Sequence, residues 1–233
     1  MKQRPCNRWC GRKAFQLGVA GFVVWGLLAV GCATPRPDGD AVAWRCDTAA
    51  DTAVARGDWQ AALEGHLALL RQSPDNCLAL YHLGYIRGHL GDRALETAAY
   101  EQAVACGYDQ DDRLFFNLGM AYGALGDLER AGRAMERAVA LDPENGDNHF
   151  GLALVAASAG HSEKAEQALR RAITVAPTHL EARLELVQLI LDQGRWGEAR
   201  THLAAVRAMD PGNGEARRLQ QILESLQAGQ YSR

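Results

Sequence analysis

A glycine-centred turn recurs along this chain at an almost constant step. Gly57, Gly91, Gly126, Gly160 and Gly194 lie in "RGDW", "LGDR", "LGDL", "AGHS" and "QGRW", at intervals of 34, 35, 34 and 34 residues. A second marker keeps the same period: Pro74, Pro143, Pro177 and Pro211. Two unrelated punctuation residues in one register mean duplicated supersecondary units that bury a core by stacking on one another. Hydrophobic residues make up 48% of the chain but aromatic ones only 7%, so Ala, Leu and Val must fill that core. Ala and Leu are strong helix formers, and the expected class is all-α.

The unit that opens at Asp112 shows the pattern best. Its large positions are Phe115, Leu118, Tyr122 and Met135, its small ones Gly119, Ala131 and Ala138, and Pro143 closes it. Small residues suit places where two antiparallel helices approach, and large ones fill the holes beside them. Gly126 reads as a left-handed helix terminator and Pro143 as a stop. On this reading Gly119 and Gly123 are packing positions. A membrane GxxxG motif is excluded because Asp127, Glu129 and Arg130 follow so closely.

A 34-residue helix–turn–helix unit with these large and small positions resembles the tetratricopeptide repeat (TPR). The resemblance implies a right-handed α-solenoid of stacked units. Five are expected, over about 43–76, 77–111, 112–145, 146–179 and 180–213, followed by a capping helix at 214–228 and a short tail at 229–233. In that helix Leu219, Ile222, Leu223 and Leu226 form an apolar stripe. The second unit departs from the pattern at Arg87, where an aromatic is usual, and at Glu96, where a small residue is. It lacks the closing proline and runs through "CGYDQDD", whose acidic end is expected to cap the next helix. Val187 stands where Gly or Ala is usual, and the first helix of the first unit is weak, as suits a terminal unit.

The N-terminal residues belong to another system. Residues 1–13 hold five basic side chains and no acid, and Ala14 to Cys32 carry no charge. A basic segment followed by an apolar one is a secretory signal pattern. "LLAVGC" resembles the bacterial lipobox, which implies a signal peptide at 1–31, lipidation on Cys32 and a tether over 32–42. Ala33 after that cysteine favours the outer membrane. The stretch is also close to the length of an uncleaved inner-membrane anchor. Both readings carry the repeats out of the cytoplasm to face the periplasm. Net charge is −3 for the whole chain and −8 without residues 1–31. An acidic surface repels phosphate backbones, and no nucleic-acid partner is expected.

In the TPR family the first helix of each unit lines the concave face. The matching positions here give an apolar groove of Tyr81, Tyr85, Phe116, Met120, Phe150 and Leu154, with Asn117 placed to hydrogen-bond a ligand backbone. An exposed aromatic row marks a partner surface, so a helical or extended peptide segment is the expected ligand. The alternative is that these side chains cover one another, leaving a structural subunit held by its convex face. Arg113 and Asn117 alone do not make the family's carboxylate clamp. TPR lipoproteins of this build act in pilus or secretion assembly or with peptidoglycan enzymes, which implies a protein partner in the envelope and a membrane contact through the lipid.

Cys46, Cys77 and Cys106 remain after the leader and Cys32 are set aside. Antiparallel helices bring Cys77 and Cys106 together as a disulfide candidate; Cys46–Cys77 is the competitor, and three buried thiols the third option. Chemistry has little footing. HExxH, CxxC, GxSxG, P-loop and GxGxxG patterns are absent. His82 and His89 share a helix face without a third ligand at metal spacing. The expectation is no enzyme, no cofactor, no metal and no small-molecule substrate.

Overall fold

The computed structural model describes residues 12–19, 22–29 and 47–231. Cys32, the tether and Cys46 lie outside the described residues. Two strands, β1 (Arg12–Val19) and β2 (Phe22–Ala29), form an antiparallel hairpin with Arg12 opposite Ala29 and Val19 opposite Phe22. The apolar run expected as one continuous segment is thus folded on itself. Its Val, Phe and Trp content suits strands, although a lone two-stranded hairpin is marginal in water. Among the described residues no helix is long and apolar enough to cross a membrane.

Among the described residues eleven helices follow, and the chain divides after Asp127 into two compact units. The first holds α1 (Thr48–Arg56), α2 (Trp59–Gln72), α3 (Cys77–His89), α4 (Arg93–Cys106) and α5 (Asp112–Ala124). Each helix packs on the next, and α3 also touches α5. The second unit holds α6 (Leu128–Leu141), α7 (Gly146–Ser158), α8 (Ser162–Val175), α9 (Leu180–Asp192), α10 (Trp196–Met209) and α11 (Gly214–Tyr231). Here too neighbours in sequence are neighbours in space, and α11 covers both α9 and α10. The fold is an all-α helical repeat of the solenoid class.

The two periodic markers make the two kinds of turn. All five marker glycines have positive φ, from 73° to 85°. At each, the glycine N–H donates three residues back and the next N–H five back, as in Gly91 to Gly88 and Asp92 to Arg87. This pair of bonds satisfies the last carbonyls of the preceding helix. The proline turns end instead in a side-chain cap. Asn76, Asn145 and Asn213 accept from the amides of Ala79 (3.1 Å), Asp147 (3.0 Å) and Ala216 (2.9 Å), opening α3, α7 and α11, and His179 stands at the same place before α9. The one turn without a proline uses Gly107, at φ 109°, and Asp111, which accepts from the Arg113 amide at 3.0 Å.

Small residues set the helix spacing. A Cβ on Gly84 would lie 2.5 Å from the Tyr100 ring, and one on Gly65 2.6 Å from the Ala50 Cβ. Gly123, expected to be a packing position, faces open space, with no atom within 4 Å of a would-be Cβ. Glu96 is accommodated because Gly88 opposes it: a Cβ there would meet the carboxylate. Arg93 then pairs with Glu96 at 2.7 Å. Burial raises the Glu96 carboxyl's pKa, with Arg93 pulling the other way. In α11, Leu219 and Leu223 are buried, but Leu226 is 40% exposed, so the apolar stripe is shorter than its sequence suggests. That helix also runs to Tyr231, past the expected end at 228.

Candidate functional site

The expected groove residues fall into different environments. Tyr81 on α3 is buried; its ring stacks on Tyr108 at 5.2 Å and lies 5.9 Å from Tyr100. Burial pushes all three phenols up in pKa, so they remain neutral. Phe150 on α7 is buried too and lies 4.8 Å from His179. These two aromatics are therefore core residues, which corrects the expectation of an exposed row. The cause is local: the Tyr100 and Tyr108 rings cover Tyr81, and the His179 ring packs beside Phe150. Tyr85 is half-buried and set edge-on to Trp59 and His89, whose own rings stack at 3.8 Å. Leu154 on α7 is half-buried.

The remaining expected lining residues of the first unit lie on α5. Phe116 and Met120 are half-buried there, and Asn117 between them is 7% exposed. The Asn117 side-chain amide nitrogen has no hydrogen-bond partner among the described residues. Arg113, one turn away, is held by both oxygens of Asp111, at 2.9 and 2.8 Å. The second oxygen also accepts from the Tyr108 hydroxyl at 2.7 Å. An arginine so engaged is committed to its own helix cap and does not grip a ligand carboxylate.

Cys77 and Cys106 are joined as a disulfide with Cα atoms 5.4 Å apart, tying the start of α3 to the end of α4. That separation is ordinary for the bond.

A second constellation was not expected. His82 was paired by sequence with His89, but His89 stacks on Trp59. His82 instead meets Asp51 from α1 and His66 from α2, with ligand-type atoms of all three within 4.8 Å of one another. Asp51 Oδ1 stands 3.4 Å from His82 Nδ1 and 3.6 Å from His66 Nε2. His66 is 1% exposed, and neither ring nitrogen has a hydrogen-bond partner among the described residues. Burial first, then the neighbouring His82, lowers its pKa to about 4 against the pull of Asp51 and Asp47, so the ring is neutral near pH 7. Sequence spacing does not reveal this cluster because its residues come from three helices at unrelated spacings.

In the second unit His179 sits between Asp147 at 3.3 Å and Glu181 at 3.2 Å. Burial alone would lower its pKa, but the two carboxylates outweigh that and hold it up at about 9.

Comparison with known proteins now bears on the repeat. Two tetratricopeptide-repeat family models match, one over residues 116–179 and one over 156–223. The chain is a tetratricopeptide repeat protein. Several solved TPR structures share the fold. MamA is 22% identical with a TM-score of 0.67, over 72% of this chain and 96% of that one. A thermophilic TPR protein of Thermus thermophilus is 27% identical with a TM-score of 0.57, over 75% and 95%. YrrB, described as a TPR protein with an unusual peptide-binding site, is 18% identical with a TM-score of 0.65, over 74% and 88%. No curated protein matches the sequence. The TPR fold makes this chain a protein–protein interaction scaffold, with proteins or peptides as its class of partner.

Proposed function

We propose that this TPR protein is a non-enzymatic adaptor of the cell envelope. A lipid on Cys32 holds it to the membrane, with the outer membrane as the favoured site and the repeats facing the periplasm. It binds a helical or extended peptide segment of an envelope partner, within pilus or secretion assembly or a peptidoglycan enzyme complex. The contact surface is the face of α5 that carries Phe116, Asn117 and Met120.

The observation behind this is the Asn117 amide. An unsatisfied buried donor costs about 1–3 kcal/mol, and a peptide carbonyl would recover that cost. Phe116 and Met120 flank it with apolar surface that a partner side chain can cover. The peptide site attributed to YrrB supports the same class of ligand.

The test is cross-linking in intact cells followed by purification of wild type, Asn117→Ala and a Phe116→Glu/Met120→Glu variant. Asn117→Ala removes a donor that has no partner, so folding stability should hold while the partner is lost. An unchanged partner list in both folded variants sinks the reading. Anchoring is tested separately: labelled palmitate should enter wild type and not Cys32→Ser.

A further inference from the structure

Asp51, His66 and His82 converge from α1, α2 and α3, which are otherwise bound together mainly by apolar contacts. Ala62, Leu63 and Ile86 form the local core, with Ala53, Val54 and Leu83 against it. Gly65 admits the Ala50 side chain so closely that a Cβ on the glycine would stand 2.6 Å from it. His66 and Asp51 are the next residues along each helix. The close approach of α1 and α2 therefore delivers the imidazole and the carboxylate to one point, and α3 supplies the second imidazole.

The distances do not suit hydrogen bonds. Asp51 Oδ1 lies 3.4 and 3.6 Å from the two ring nitrogens, beyond the ordinary range for N–H to oxygen. They do suit the edges of a coordination polyhedron. With metal–ligand bonds of about 2.0–2.1 Å in a tetrahedron, neighbouring ligand atoms stand roughly 3.3 Å apart. The buried His66, with both nitrogens unpartnered, is costly as a lone polar group and well placed as a ligand. Asp51 and His82 are 19% and 13% exposed, so an ion has a path in and a remaining coordination position open to solvent.

We propose that Asp51, His66 and His82 bind a divalent transition-metal ion, with Zn²⁺ as the natural occupant. Two imidazoles and one carboxylate are borderline ligands suited to Zn²⁺, Co²⁺ or Ni²⁺ and unsuited to Ca²⁺ or Mg²⁺, which want oxygen. The bound ion ties α1 to the second repeat and stabilises the weak first repeat.

The experiment uses the full chain in mild detergent, stripped with chelator and titrated with Co²⁺. Expected is one equivalent of visible d–d absorption without thiolate charge transfer, displaced by Zn²⁺, and a raised Tm with either ion. Asp51→Asn and His82→Gln should each weaken binding at least about tenfold, since even outer-sphere partners of metal ligands cost that much. Both side chains are partly exposed, so these variants should fold even if His66→Gln does not; circular dichroism checks this. Absence of the Co²⁺ spectrum in wild type overturns the proposal, as does wild-type affinity in the two folded variants.

Discussion

Replacing Gly84 and Gly132 by alanine should move stability in opposite directions, although both lie within helices. At Gly84 the new Cβ would stand 2.5 Å from Cδ1 and Cε1 of Tyr100, where ordinary contact is 3.4–4 Å. The ring would have to retreat by nearly 1 Å. It has little freedom to do so, being 1% exposed with the Tyr81 ring 5.9 Å away. Overpacking of this kind costs about 1–3 kcal/mol. Alanine's better helix propensity returns about 1 kcal/mol, leaving a net loss of roughly 0–2 kcal/mol. At Gly132, inside α6, no atom lies within 4 Å of the Cβ. Only the propensity term acts there, and the gain is about 0.8–1 kcal/mol.

Thermal unfolding followed by circular dichroism reads both. For a chain of this size each kcal/mol moves Tm by about 2–4 °C, so the two variants should separate by several degrees. A double-mutant cycle with Tyr100→Leu isolates the cause: removing the ring should relieve the Gly84→Ala penalty, with a coupling of about 1 kcal/mol or more. If Gly84→Ala and Gly132→Ala shift Tm equally and in the same direction, close helix approach is not why glycine stands at position 84.

Other predictions rest on separate contacts. Reducing Cys77–Cys106, which closes 29 residues, should cost about 3.5 kcal/mol by loop entropy; thiol titration of unfolded protein with and without reductant, alongside urea melts, checks both the bond and its effect. His179, with its pKa raised to about 9, contributes stability that is full below pH 6.5 and is lost as pH rises through 9. Melts from pH 6 to 10 should show this decline, and His179→Gln should flatten it. Glu166, bonded by Arg195 at 2.8 Å and Arg170 at 2.8 Å, has its pKa lowered to about 2, first by Arg195. Its contribution is full above pH 4.5 and lost as pH falls through 2, so Glu166→Gln should reduce the acid sensitivity measured by urea midpoints at pH 3 and 6.

The repeat architecture was legible because its markers are local. Gly126 must adopt positive φ whatever surrounds it, and a proline at 143 ends a helix by its own chemistry. Helix starts at Cys77, Asp112, Gly146, Leu180 and Gly214 follow directly from those turns. Glu96 looked anomalous because its explanation lies on another helix: Gly88 on α3 vacates the volume that the carboxylate fills. A compensation of this kind needs a partner position that one-dimensional spacing does not name.

Side-chain exposure was harder to read than helix position. Tyr81 and Phe116 occupy the same lining position of successive repeats, yet Tyr81 is enclosed by two tyrosines while Phe116 is only half-buried; Tyr85, at another lining position, is half-buried against Trp59 and His89. The register places a residue on a face; the size of its neighbours decides whether the face is surface or core. The histidines show the same limit from the other side. A sequence search for metal ligands looks for short, regular spacings, such as His82 and His89 on one helix. The carboxylate and imidazoles that do meet are 15 and 16 residues apart and come from three helices, the first two of which approach closely at Gly65. Where a repeat stacks helices at fixed spacing, each new site is written across units, so the repeat register is the frame in which such residues should be compared.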